Sequence, residues 1–165
     1  MAESMQGLRL TSKDPMTVAK TVLKDCWTTQ RGHPGLWRMK DRTWREWYGD
    51  SRWVVREDEQ IVHSLWRVLG EALVETQIQD SEAWHIGKYG PDTGDIRDVK
   101  NALAAITEYQ YPDVHRWLVT GKPDIQFCVA FEDVVVDVKG SVEKGEWVTV
   151  ERDETFFSPV VVPCR

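Results

Sequence analysis

The spacing of apolar and polar positions divides the chain into helical and extended stretches. In "DPMTVAKTVLKDCW", Met16, Ala19, Val22, Leu23, Cys26 and Trp27 recur at helical spacing, with Asp14 as a good N-cap and Pro15 at the first helical position. "LWRMK", "TWREWY" and "RWVV" then read as three short strands rich in aromatic and β-branched residues. Turns at Asp41-Arg42 and at residues 49–51 join them into a β-meander. "EDEQIVHSLWRVLGEALVET" predicts a helix that Asp58 can cap, with Ile61, Leu65, Val68, Leu69, Ala72 and Leu73 as its buried stripe. "QIQDSEAWHIGKYGPDTGD" reads as a loop with an ordered centre. "DIRDVKNALAAITEY" follows as a third helix, with Ile96, Val99, Leu103 and Ile106 on one face. The pattern then turns extended in "IQFCVAF", "VVVDV" and "EWVTVE", broken at Glu132-Asp133 and over residues 139–145. Residues 1–13 read as flexible. The order predicts one α+β domain over residues 14–165. It has an N-terminal helix, a three-stranded aromatic β-meander, two core helices and C-terminal short strands.

At 165 residues the chain is long enough to bury a real core. No apolar run approaches the ~20 residues that span a bilayer, and the first residues lack the apolar core of a signal peptide. Cys26, Cys128 and Cys164 are scattered and form no C-x-x-C pair, which indicates neither a disulfide framework nor a zinc site. A cytoplasmic protein of a host cell, with reduced thiols, is the expectation.

Nine tryptophans and a net charge of -6 change the picture most. Phosphate binding needs cations, so an acidic chain is not a general nucleic-acid coat. The charge is uneven, however. Residues 31–56 hold seven cations against three carboxylates, a segment of +4 that leaves -10 on the rest. "DRTWREWYGDSRW", within that segment, interleaves three tryptophans and a tyrosine with three arginines. Exposed indoles stack on bases and guanidiniums follow phosphates, so Arg38, Lys40, Arg42, Trp44, Arg45, Trp47 and Arg52 are the candidate residues for weak binding of single-stranded DNA. The alternative is burial. Strand residues alternate, so Trp44 and Glu46 share one face and Arg45 and Trp47 the other, and some indoles are expected inside.

Catalytic signals are sparse. The chain has no phosphate-binding G-x-x-x-x-G-K-[ST] loop and no G-x-S-x-G elbow. His33, His63, His85 and His115 stand apart with no ligand spacing, so no metal site is expected. "KPDIQFCVAFEDVVVDVKG" sets Pro123-Asp124 ahead of Asp137-Val138-Lys139 and looks like the P-D…[DE]-x-K arrangement of metal-dependent nucleases. There two carboxylates hold Mg²⁺ and the lysine positions the attacking water. Asp124, Asp137 and Lys139 are therefore the candidates of an alternative, enzymatic reading.

The whole-chain order supports another reading. "DPMTVAKTVL", "LWRMKDRTWREWYGDSRWVV", "DEQIVHSLWRVLGEAL", "DVKNALAAI", "RWL" and "VAFEDVVVDVKG…WVTVERDETFFSPVVVP" come in sequence. This order resembles the domain ahead of the superfamily III helicase in poxvirus-type and phage- or plasmid-type DNA primase–helicases, and it covers nearly the whole chain from Asp14 onward. That family shows a tryptophan meander of W-x-G-x-x-W flavour, an F-x-N-G-hydrophobic-Asp strand pair and a T-x-x-x-F-F-x-x-x-x-P exit. Two departures stand out: Glu132-Asp133 replaces the Asn-Gly turn, and "WYGDSRW" is a shifted version of the tryptophan element. The resemblance implies a non-catalytic module that helps the helicase assemble and engage DNA. It also implies that the chain is a fragment or stand-alone piece of a larger viral or mobile-element replication protein. Its implied partners are single-stranded DNA, the adjoining primase and helicase domains and, in the full-length protein, further copies of itself. ATP and Mg²⁺ are expected only in the absent helicase part. A pure protein-interaction module is the third expectation.

Overall fold

Asp14 opens the first helix as the sequence requires. Its carboxylate accepts the amide of Thr17 at 2.8 Å and the Thr17 hydroxyl at 2.9 Å, and Pro15 supplies a first-turn position that needs no donor. The structure, a computed structural model, describes residues 7–48, 52–77, 83–109, 116–117, 121–131, 134–151 and 156–157. Among them the chain is α+β. Its elements are β1 (Arg9–Leu10), α1 (Pro15–Cys26), β2 (Leu36–Arg38), β3 (Trp44–Tyr48), β4 (Arg52–Arg56), α2 (Asp58–Gly70), β5 (Leu73–Gln77) and β6 (Trp84–Lys88). There follow α3 (Thr93–Ile106), β7 (Arg116–Trp117), β8 (Cys128–Ala130), β9 (Val134–Asp137), α4 (Val138–Lys144), β10 (Val148–Glu151) and β11 (Phe156–Phe157). No helix of the described residues is long and apolar enough to cross a membrane.

The strands form small sheets with the orders β1-β5-β6, β2-β3-β4 and β10-β9-β8, and β11 pairs with β7. The meander is antiparallel, with Trp44 between Arg38 and Arg56 and Trp47 opposite Trp53. One main core lies among α1, α2, α3, β1, β5 and one face of the meander. Val18, Val22, Leu65, Leu69, Val99, Leu103 and Trp44 are wholly buried in it.

Several local expectations differ from the structure. The first concerns residues 1–13. Residues 1–6 lie outside the described residues, but residues 7–13 are placed: β1 pairs in parallel with β5, and Leu10 is buried in the main core. An apolar residue on a period of two had a sheet to join. The second concerns the helix expected to run past residue 70. It stops at Gly70 although the apolar spacing continues through Ala72 and Leu73. The Leu73 amide donates to the Leu8 carbonyl at 2.8 Å and the Tyr89 amide to the Ala72 carbonyl at 2.9 Å. These long-range pairs turn "LVETQ" into β5, whose Val74 faces the core on a strand period. The presumed loop that follows contains β6, the other arm of a hairpin. The expected break in the strands over residues 139–145 is present and is filled by α4, closed by Gly145 at φ 71°, a left-handed conformation that glycine takes without strain.

Asp58 ties three elements together. It is the first residue of α2, not its cap, since Glu57 holds that position. One carboxylate oxygen accepts the Trp44 indole N–H of β3 at 2.8 Å and lies 3.0 Å from the Arg38 guanidinium of β2; the other accepts from Lys100 of α3 at 2.8 Å. Burial pushes the Asp58 carboxyl up, but the hydrogen bonds from Lys100 and Trp44 and the Arg38 charge outweigh it and hold the group below its ordinary value. The stabilisation is therefore complete above the usual carboxylate range near ~4, and is lost as pH falls through the lower folded-state value. Asp58→Ala is expected to cost about 2–3 kcal/mol at neutral pH, because it removes a charged acceptor and leaves two cations beside an unpaired indole. Urea unfolding of both proteins across pH measures this. The gap between parent and variant should shrink as pH falls through the lowered folded-state value of Asp58, and a gap unchanged at the acid end counts against the cluster.

Candidate interaction surfaces

The meander begins with a close approach. Gly35 precedes β2, and a β-carbon on it would lie 3.0 Å from the Trp27 carbonyl oxygen, to which its amide donates at 2.6 Å. At the β2–β3 turn the Asp41 carboxylate accepts the Thr43 hydroxyl at 2.7 Å and its amide at 2.9 Å, which lowers the Asp41 pKa. Arg42 sits there at φ 68°, a left-handed conformation that costs a non-glycine residue roughly 1–2 kcal/mol.

Both faces of this sheet are covered. On one face Leu36 and Trp44 enter the main core, and Glu46 accepts the Trp27 indole N–H at 3.0 Å and the Arg56 guanidinium at 2.6 Å. On the other, Trp37, Met39, Trp47 and Trp53 pack with Tyr109 into a second core. Trp47 meets Trp53 edge-on at 5.5 Å between centroids, Trp37 meets Tyr109 at 5.9 Å, and the Trp53 indole donates to the Phe156 carbonyl at 3.1 Å. The sequence allowed one solvent face; the fold leaves the sheet between two apolar layers.

This changes what the candidate DNA-binding residues can do. Trp44 has no exposed surface, so it cannot stack on a base in the folded protein. Arg38 pairs with Asp58 and lies 4.9 Å from the centre of the Trp44 ring. Arg45 is buried and donates to the Thr43 hydroxyl at 2.9 Å. Trp47 is half-buried in the second core. Lys40 and Arg42 are exposed at the β2–β3 turn, with Asp41 between them. The Arg52 side chain lies outside the described residues. Of the seven, the structure therefore leaves Lys40 and Arg42 displayed together, and withdraws Arg38, Trp44 and Arg45 because their polar or aromatic groups have partners inside the protein.

Asp124, Asp137 and Lys139 have local roles. Asp124 accepts the Gln126 amide at 3.3 Å and its side chain at 2.7 Å, opening the single 3₁₀ turn Ile125–Phe127. Asp137 is the N-cap of α4 and accepts the Gly140 amide at 2.9 Å. A β-carbon at residue 140 would lie 2.5 Å from that carboxylate, so glycine lets the cap close. Lys139 leaves the strand, lies on α4 and holds its ammonium 5.6 Å from the centre of the Phe127 ring. Asp124 and Asp137 come to the same end of the β8–β9 hairpin, on either side of Cys128. Burial first, and then these two carboxylates, push that thiol up. Among the described residues no three histidine, cysteine, aspartate or glutamate side chains converge as a metal site would need.

Sequence reading missed an apolar surface in the C-terminal sheet. Apart from Gln126, "IQFCVAF" is apolar throughout, so periodicity shows no outward face. In β8 the small Cys128 and Ala130 point to the local core of Trp117, Val135 and Phe156, while Phe127, Val129 and Phe131 stand 43–50% exposed. Nearby, Val138, Ser141, Val142, Gly145, Glu146 and Trp147 line a shallow cavity of about 330 Å³. Trp147 is 80% exposed there. The only sequence signal was the size difference between alternate residues of β8.

No protein-family model, curated protein or solved structure matches the chain. The capping role of Asp137 is open to direct measurement. Asp137→Ala is expected to lower stability by about 1 kcal/mol and Asp137→Ser to recover most of it. The parent chain should leave single- and double-stranded DNA uncut with Mg²⁺ or Mn²⁺. Cleavage that vanishes in Asp137→Ala would restore the nuclease reading.

Proposed function

We propose that this chain is a non-catalytic interaction module of a viral or mobile-element primase–helicase, and that it docks on its helicase through the apolar surface around β8 and α4. The carrying observation is a reversal of the expected distribution of apolar groups. The tryptophan-rich meander lies between two cores, whereas Phe127, Val129, Phe131, Val142 and Trp147 face water. Phe127, Phe131 and Trp147 each bring ~150–250 Å² of side-chain surface, and about half or more of it is exposed. Contiguous apolar patches of a few hundred Å² mark interaction sites, and aromatic side chains are the usual anchors of such contacts. The order of motifs along the chain supplies the partner, because the domain it resembles adjoins a superfamily III helicase. Assembly is the part of that domain's role that the surface supports best. Of the candidate side chains described in the meander, Lys40 and Arg42 are the exposed cations.

The superfamily III helicase encoded in the same genome, titrated over the immobilised chain, tests the reading. The double variant Phe131→Ser, Trp147→Ser is expected to stay within about 1 kcal/mol of the parent in stability, since both side chains are largely exposed, and to bind at least about tenfold more weakly. A parent that does not bind, or a variant that binds equally well, refutes this docking surface.

A further inference from the structure

The outer face of the sheet β1-β5-β6 is unlike the other exposed surfaces. Its register places Arg9, Leu73 and Lys88 in one row, Glu75 beside Ile86, and Gln77 beside Trp84, all on the same side. The opposite side carries Leu10 and Val74 into the main core, so this side faces water. Trp84 is 61% exposed and Ile86 49%. The Arg9 side chain is 70% exposed, 3.8 Å from Glu75, and Lys88 is exposed at the end of β6. Beyond β6, Lys13 lies 5.9 Å from the centre of the Tyr89 ring, and Asp92 and Asp95 lie past that ring at the start of α3.

Neighbouring charge sorts the exposed indoles. Trp147 shares its cavity with Glu146 and no cation. Trp66 lines a groove of about 430 Å³ with Asp58, Glu59, Val62, His63 and Lys100, and Lys100 is bound to Asp58. Among the described residues on the face of Trp84, two cations stand against one carboxylate, Glu75, which lies beside Arg9. An exposed indole and cations set about 13 Å apart along one sheet face, four residues of β6, are the chemistry that binds an extended single strand: the ring stacks on a base while ammonium and guanidinium groups meet phosphates further along. We infer that the β1-β5-β6 face is a single-stranded nucleic-acid contact, with Trp84 stacking on a base and Arg9 and Lys88 meeting the backbone. It lies apart from the docking surface and does not depend on it.

With two or three phosphates met, binding is weak, with a Kd of ~10⁻⁴ to 10⁻⁶ M, and it falls roughly tenfold between about 50 and 200 mM salt. Fluorescence anisotropy of labelled oligo(dT) of about 15 nucleotides, against a duplex of equal length, reads it out. Trp84→Ala is expected to weaken single-strand binding at least about fivefold, Trp84→Phe to retain it within about twofold, and Lys88→Glu to weaken it and flatten the salt dependence. Trp147→Ser should bind oligo(dT) as the parent does, so loss of helicase docking and loss of nucleic-acid binding are separable. Circular dichroism melting confirms that each variant folds. The inference is overturned if the parent fails to bind at low salt, if the duplex binds as tightly as the single strand, or if Trp84→Ala binds like the parent. It is overturned in favour of the β2–β3 turn if Lys40→Glu with Arg42→Glu abolishes binding that Trp84→Ala leaves intact.

Discussion

One carboxylate, Asp58, holds the meander to the helices. It stands at the start of α2, where the helix dipole favours a negative group, and it takes an indole N–H from β3, a guanidinium from β2 and an ammonium from α3. Much follows from that convergence. Trp44 can lie wholly inside an apolar core because its one polar atom has an acceptor. Arg38 and Lys100 can approach the core because a shared opposite charge lies between them. The backbone repeats the connection: Arg38 donates to the Thr107 carbonyl and accepts from the Tyr109 amide, each at 2.8 Å, so β2 runs beside the chain leaving α3.

Once the meander is anchored on one face, its other face cannot remain a free aromatic surface. Trp37, Met39, Trp47 and Trp53 are too large and too close together to stay in water, and Tyr109 and the Phe156 backbone close over them. The cations between them are drawn in as well. Glu46 satisfies both Trp27 and Arg56, and Arg45 is buried against Thr43. Among the described side chains of this positive stretch, Arg38, Arg45 and Arg56 thus enter internal ion pairs and hydrogen bonds, while Lys40 and Arg42 are displayed at a turn and Arg31 is exposed ahead of β2.

The surface that remains is divided by chemistry. The C-terminal sheet and α4 display aromatic and branched side chains, with Lys139, Glu143, Lys144 and Glu146 exposed among them, a mixture of apolar anchors and charges that suits contact with another protein. The β1-β5-β6 face displays an indole at one end and two cations at the other, which suits an extended, flexible anion with flat bases. The two lie on different sheets, and neither involves the residues whose pairing holds the core together.

The sequence by itself determined the local elements. Asp14-Pro15 set the start of α1, the apolar periods set most of the buried faces of α1, α2 and α3, although in α1 Met16 is exposed and Val18 is buried instead, and the density of aromatic residues set the meander and its strand boundaries within a residue or two. These depend on neighbours within one turn or one hairpin. Only the tertiary structure decided where α2 ends, because its continuing apolar pattern gave way to pairing of β5 with β1 and β6. It alone decided which tryptophans are displayed, because alternation assigns residues to faces but not faces to solvent. Trp44 and Trp84 are both strand tryptophans beside charged residues. One lies between sheet and helices and the other on an outer face, and that difference comes from which layers stack on which side. For the same reason Arg38 and Lys88, equivalent as cations in the sequence, differ in what they can meet: the Asp58 carboxylate holds the first, which is itself largely buried, and water surrounds the second.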